Sequence, residues 1–188
     1  MAKGKASPSL VRAATARPIH KAWKFCPRCG VAAPKAGRNP FSCKSCGFTH
    51  YFAPVSAVGG IATDPSGQLL LLVRAKDPGQ GLYGLPGGFV DTGETAEEAL
   101  QREVLEEVQL NVTSYRYLVS YPNEYNFNGF ELPVTDMFFV IEVESFESMS
   151  LMDGEIDAWH FCHPGKKELT RMAFESNRKA LEFFLKQR

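Results

Sequence analysis

Three glutamates, Glu103, Glu106 and Glu107, crowd one short stretch, and a glycine turn, Leu85-Pro86-Gly87-Gly88, stands ahead of them. Wound as a helix at about 100° per residue, 94–108 places Leu100, Val104 and Val108 in an apolar stripe. The three glutamates fall in an arc of roughly 100° beside it. Carboxylates packed against a core-facing stripe repel one another and lose solvent, so they stay ionised together only beside a cation. Clustered oxygen ligands suit Mg²⁺ or Mn²⁺. A Glu-rich helix taken alone also reads as a solvated acidic face. The glycines favour the metal, because paired glycines let the backbone turn tightly and bring a carbonyl, here that of Gly87, into a metal shell. Gly93-Glu94 opens the helix, with Thr92 or Thr95 as its cap and Glu98 completing a capping box with Thr95. Arg102 lies i,i+4 from Glu106 and within reach of Glu94, which makes it a strut orienting carboxylates.

A second cluster uses sulfur. Cys26-Pro-Arg-Cys29 and Cys43-Lys-Ser-Cys46 are each followed by glycine, Gly30 and Gly47, with thirteen residues between the pairs. Two such knuckles fit a tetrahedral Cys₄ Zn²⁺ ribbon. The competing reading, a disulfide within each pair, requires tight strained loops. Cys162, between His160 and His163 on an apparent strand, reads as a structural cysteine.

The elements that must position these groups follow from pattern. Ser56–Ala62 and Gln68–Val73 read as strands joined in a hairpin by the Asp64-Pro65-Ser66-Gly67 turn. Lys76–Gly84 reads as a loop. Ser114–Pro122 and Val134–Val143 are strand candidates, with an aromatic, Asn-rich loop at Glu124–Leu132. Ser176–Gln187 shows helical spacing, with Ser176 as N-cap. Strands before and after one central helix, with a second helix at the end, predict an α/β protein with a mixed sheet between helices.

The 188 residues allow one ordinary domain and a small module, and 44% hydrophobic content with 14 Phe supports a packed core. No apolar run reaches the roughly 18 residues of a membrane span, so no membrane association and a cytoplasmic location are expected. The zero net charge hides a split, since ten Lys and Arg and no acid precede Asp64. The expected organisation is a basic tail over 1–20, a zinc ribbon over 21–53 and a larger domain over 54–188. Residues 1–20 also resemble an organellar transit peptide in composition.

The Gly88–Leu110 segment resembles the signature of the Nudix hydrolases, G-x5-E-x7-R-E-U-x-E-E-x-G-U with U aliphatic. Gly88, Glu94, Arg102, Glu103, Val104, Glu106, Glu107 and Leu110 match it. Gln109 departs from it, standing where the family has glycine as a left-handed helix stop, which puts the following loop in question. The resemblance implies an α/β/α sandwich and metal-dependent hydrolysis of a diphosphate linkage in a nucleoside diphosphate derivative. Glu103 and Glu106 are each a candidate ligand or general base. Glu155, in Asp153-Gly154-Glu155-Ile156-Asp157, is the candidate later-loop acid, and Tyr121, Tyr125, Phe127 and Phe130 are candidates for stacking on a base. A ribbon ahead of such a domain is similar to the NADH pyrophosphatases, but Ser120-Tyr121-Pro122-Asn123-Glu124-Tyr125 replaces their Ser-Gln-Pro-Trp-Pro-Phe-Pro array. ADP-ribose therefore leads as substrate, followed by NADH and FAD. The expected role of the ribbon is that of a structural or dimerising element, with a homodimer as the candidate assembly. Two alternatives are an RNA-processing protein gripping nucleic acid through the basic ribbon and an inactive ligand-sensing regulator.

Overall fold

The computed structural model describes residues 17–33, 37–151 and 154–187, so most of the expected basic tail lies outside the described residues. The chain forms two compact units. One comprises residues up to Phe52 together with Asn126–Glu131, and the other Ala53–Tyr125 and Leu132–Arg188.

In the first unit β1 (Arg17–Pro18) runs parallel to Phe130–Glu131, and β2 (Phe41–Ser42) pairs antiparallel with β3 (Thr49–His50). Trp23 centres its core, with ring centroids 5.5 Å from Phe41, 4.9 Å from His50 and 4.7 Å from Phe52. At each knuckle a glycine amide turns back on its cysteine, Gly30 to the Cys26 carbonyl at 2.9 Å and Gly47 to the Cys43 carbonyl at 3.0 Å. The four Sγ atoms lie within 4.8 Å of one another, with Cys26–Cys46 and Cys29–Cys43 both at 3.7 Å. A tetrahedron with Zn–S bonds of about 2.3 Å has edges of about 3.8 Å. No cysteine is disulfide-bonded. The quartet fits a zinc ribbon, and the disulfide reading falls.

The second unit is built from β4 (Val55–Ala62), β5 (Leu69–Arg74), β6 (Tyr83–Gly84), α1 (Ala96–Val108), β7 (Val112–Phe127), β8 (Phe130–Val143), β9 (Ile156–Cys162), α2 (Lys166–Leu169) and α3 (Glu175–Leu185), with the ends of β7 and β8 at Asn126–Glu131 belonging to the first. β4 runs parallel to β8, from Val55 opposite Val134 to Ala62 opposite Ile141, and β8 also pairs with β7. β5 lies antiparallel between β6 and β9. Alternate strand residues feed two cores. Val58, Leu70, Leu72, Phe139 and Ile141 join Leu100, Val104 and Val108 of α1, while Ile61, Leu69, Leu71 and Phe138 join Ala180, Leu181 and Phe184 of α3. Leu69–Leu72 is an unbroken apolar run because both of its faces are covered. This is the expected mixed α/β sandwich. Among the described residues, no helix is long and apolar enough to cross a membrane.

Four local expectations change. The chain reverses at Asp64–Gly67, where the Gln68 amide donates to the Asp64 carboxylate at 2.8 Å. Only the Thr63–Leu69 bridge follows, however, and the strands then part into different ladders instead of forming a hairpin. Glu124–Leu132 is no loop: β7 and β8 continue to Asn128-Gly129, whose φ of 48° and 79° suit the tight turn that matches strand twist. The segment expected as a loop over Lys76–Gly84 ends in β6. Ser176 does not cap α3. Phe174 occupies the N-cap position without a side-chain hydrogen bond, and Ser176 is fully buried, donating to the Asp136 carboxylate on β8.

Gln109 keeps the left-handed stop without glycine. It sits at φ 57°, ψ 33°, and both its amide (3.0 Å) and its Nε2 (2.8 Å) donate to the Leu105 carbonyl. Gln109→Val, with a β-branched side chain that resists this conformation and cannot donate, should cost about 2 kcal/mol in urea denaturation. Gln109→Gly should cost much less. In the ribbon, the purified protein should carry one zinc per chain by elemental analysis. Cys29→Ser should lose the metal and shift Trp23 emission to the red as the aromatic core opens.

Candidate active site

The glycine turn is hung on the free edge of β4. Val58 donates to the Gly88 carbonyl (2.8 Å), Gly60 to that of Pro86 (2.8 Å), and Val90 to that of Ser56 (3.0 Å). So close an approach leaves no room for side chains. A Cβ on Gly87, at φ 141°, would stand 2.2 Å from the Val58 carbonyl oxygen, and one on Gly88 would stand 2.5 Å from Glu103 Oε1. Leu85 at the head of the turn donates its amide to Asn177 Oδ1 of α3 at 3.2 Å. Gly87 donates its amide to Glu107 Oε2 at 2.8 Å. The turn is thus held by β4, α1 and α3 together, and it is the Gly87 N–H, not its carbonyl, that meets a glutamate.

Helix α1 begins as expected, with Thr95 accepting from the Glu98 amide at 3.1 Å and Glu98 accepting from the Thr95 amide at 2.8 Å. Leu100, Val104 and Val108 are fully buried. Arg102 is the strut. Its Nε and Nη2 form a fork with Glu94 at 2.7 and 2.9 Å, and Nη2 also donates to the Phe89 carbonyl at 3.0 Å. Its Nη1 reaches both Glu103 (2.9 Å) and Glu106 (3.2 Å). Those bonds from Arg102, aided by the Asp91 amide, hold the Glu94 carboxyl down at about 2.

The glutamates differ in environment. Glu106 is exposed, Glu103 is partly buried, and Glu107 is only 8% exposed. Burial pushes Glu107 up to about 8, with the charges of Glu103 and Glu155 adding to the shift and the Gly87 amide and Arg74 opposing it. Burial likewise raises Glu103, against the pull of Arg102 and with a further push from Glu106 and Glu155. Glu155, beside β9, is tied to the end of β5 by its carbonyl, which accepts from Ala75 at 2.8 Å. It therefore lies within electrostatic reach of two signature glutamates. Among the described residues the cysteine quartet is the one set whose ligating atoms converge within 4.8 Å. Arg102 holds Glu103 and Glu106, while Glu107 faces Gly87.

The stacking candidates separate. Tyr121 packs on the α3 core. Tyr125 meets Phe89 edge-on at 5.2 Å and Phe174 at 5.9 Å with the rings 30° apart, and the Arg74 guanidinium lies 5.1 Å from the Phe174 centroid. Phe130 is exposed at the hairpin tip in the other compact unit, and the Phe127 side chain lies outside the described residues. Cys162 pairs opposite Leu69 and packs on the α3 core as a structural residue. Sequence reasoning missed Asn177, Arg74, Phe89 and Phe174. Phe89 carried a usable signal, since it directly follows the glycine turn already assigned to the site.

Comparison with known proteins agrees with this geometry. The chain matches the NUDIX domain family over residues 53–184. It is 34% identical over 149 residues to the NAD-capped RNA hydrolase NudC of Haemophilus influenzae, covering 76% of this chain and 53% of that one. It is 47% identical over 60 residues to an ADP-ribose pyrophosphatase of Methanocaldococcus jannaschii, covering 32% and 35% of the two chains. The chain thus spans about half the length, or less, of these curated relatives. A crystal structure of a NUDIX hydrolase from Nitrosomonas europaea shares the fold, with a TM-score of 0.64 and 24% identity over 88% of this chain and 92% of that one. The matched span contains the glycine turn, the capped helix and the Arg102 strut, and the chain belongs to the Nudix hydrolase family.

Proposed function

We propose that the protein is a divalent-metal-dependent diphosphatase that cleaves ADP-ribose or a related dinucleotide such as NADH or FAD and releases a nucleoside monophosphate. The observation that carries this reading is Glu107, a carboxyl buried beside Glu103 and Glu155 and held by the Gly87 amide. The donor set fits a hard divalent cation in its chemistry, because carboxylate oxygens are hard ligands and Glu103 and Glu107, raised by burial, need a cation to ionise together. Glu103, Glu106 and Glu107 would hold Mg²⁺ or Mn²⁺. When bound, the metal supplies charge neutralisation for the phosphoryl oxygens and a water of lowered pKa.

The residues divide the remaining work. Glu94, kept ionised by Arg102, fixes the guanidinium, and the guanidinium in turn aims Glu103 and Glu106. Glu103, Glu106 or Glu155 takes the proton of the attacking water. Tyr125, beside Phe89 and Phe174, offers aromatic faces for a base next to the carboxylates, since the Phe89 carbonyl is itself bound by Arg102. The names of the relatives, one for NAD-capped RNA and one for ADP-ribose, support a substrate in which a diphosphate joins adenosine to a second ribose-bearing moiety. The four cysteines would hold Zn²⁺ as a structural ion in a ribbon at 21–53, ahead of a catalytic domain at 54–188.

Incubation with ADP-ribose, NADH, FAD and diadenosine polyphosphates should release AMP from at least one of them in Mg²⁺, and little without it. Turnover of none would sink the reading. Glu106→Gln should lower kcat by about 10²–10³-fold. Arg102→Lys, which cannot form the fork, should lower it by about 10–100-fold with the fold intact.

The raised Glu107 carboxyl also makes metal binding pH-dependent. Its folded value of about 8 lies above the ordinary 4.5. The neutral form therefore stabilises the metal-free protein fully below about 4.5, and that contribution fades as pH rises through about 8. A cation reverses the preference by binding the ionised form. The rise in melting temperature caused by Mg²⁺ should be larger at pH 8.5 than at pH 6, and Glu107→Gln should remove the difference in calorimetry. An equal rise at both pH values in the unsubstituted protein would place the metal elsewhere.

A further inference from the structure

The hydrolase reading leaves the basic ribbon without a task, and the ribbon contains a cavity. About 600 Å³ in volume, it has apolar walls from Val31, Ala32, Ala33, Pro40 and Phe41 and carries Arg38 and Lys44 in its lining. Both cations are exposed, and neither takes part in an ion pair among the described residues. No acid exists anywhere before Asp64 to pair with them locally. Even with four thiolates on one Zn²⁺, the Lys and Arg of this stretch leave it net positive. Phe25, bridged to Ala32 on the cavity wall, is 62% exposed.

We propose that this cavity is a docking site for a single-stranded polynucleotide, with one base against the apolar walls and the flanking phosphates on Arg38 and Lys44. Two features select this occupant. Unpaired cations around a pocket attract a polyanion whose charges repeat along a chain. An apolar pocket beside an exposed aromatic ring suits flat bases, which an acidic peptide lacks. A cavity of this size lies within the range that takes a nucleotide-sized ligand. A duplex, whose bases are stacked and paired, cannot place one there.

The test uses the full-length zinc-loaded protein and a 3′-fluorescein single-stranded 12-mer with a 5′-monophosphate, read by anisotropy. Because that probe carries no diphosphate, binding stands or falls apart from the hydrolase reading. The strand should bind, with affinity falling as salt rises by about 0.7 in log–log slope per phosphate neutralised. Arg38→Glu with Lys44→Glu should weaken binding at least tenfold and flatten the slope by about 1.4. Ala33→Phe, which fills the cavity without changing charge, should weaken binding and leave the slope unchanged. Zinc content and Trp23 emission confirm that each variant keeps its ribbon. RNA and DNA strands that bind alike indicate readout of base and phosphate alone, and RNA preferred over DNA adds a contact to the 2′-hydroxyl; both support the site. Binding absent at 50 mM salt, equal affinity for a duplex, or equal competition by poly-glutamate would each overturn it.

Discussion

A carboxylate removed from water must find its hydrogen-bond donors inside the protein, and Glu107 finds one in the Gly87 amide. That single bond sets the demands on its surroundings. The amide points at the helix only because the backbone at Gly87 turns through φ 141°, and the turn fits only because nothing projects from it into the Val58 carbonyl. The edge of β4 must then remain free of a neighbouring strand, so that Pro86, Gly88 and Val90 can bond to it. Parallel pairing of the other edge with β8 leaves that side open.

The same turn is held from the opposite direction by α3. Asn177 accepts from Leu85, and the adjacent Ser176 donates to Asp136 of β8, where burial raises the carboxyl against the hydrogen bonds that oppose it. Two neighbouring polar residues thus fasten the first turn of α3 both to the sheet and to the glycine turn. Each is satisfied, which is the condition under which buried polar groups specify one arrangement. Among the described residues, no buried side-chain polar atom lacks a partner.

What was legible in the sequence was local. The Thr95–Glu98 box, the Leu100–Val104–Val108 stripe and the reach of Arg102 to Glu94 and Glu106 depend on helical spacing alone, and all are present. What was illegible depended on partners distant in the chain. Nothing near Asn177 announces Leu85, and its position next to Ser176 ahead of an apolar run imitates a helix cap. The strands at Val55–Ala62 and Leu69–Arg74 were readable as strands, but the identity of their neighbours was not, since alternation specifies a face and not a partner. The Asn128-Gly129 turn did carry a signal, obscured by aromatic and polar residues that suggested a loop. Gln109 shows that the family's glycine is a solution to a backbone problem, and that a side chain able to reach the Leu105 carbonyl is another.

The distances along the chain between these fastenings set how much loop entropy each must overcome. Helix α1, with its own cap and stop, and the β7–β8 hairpin, closed by a two-residue turn, form from neighbouring segments with little loop entropy to overcome. The Leu85–Asn177 bond spans 92 residues, and the β4–β8 ladder joins strands separated by the entire α1 region. Such contacts carry a larger loop-closure entropy than the local ones. The glycine turn therefore joins nearer bonds to β4 and α1 with one bond to α3 from far along the chain. A change in α3 is thus felt at the glycine turn, far away in sequence, through the Asn177–Leu85 bond.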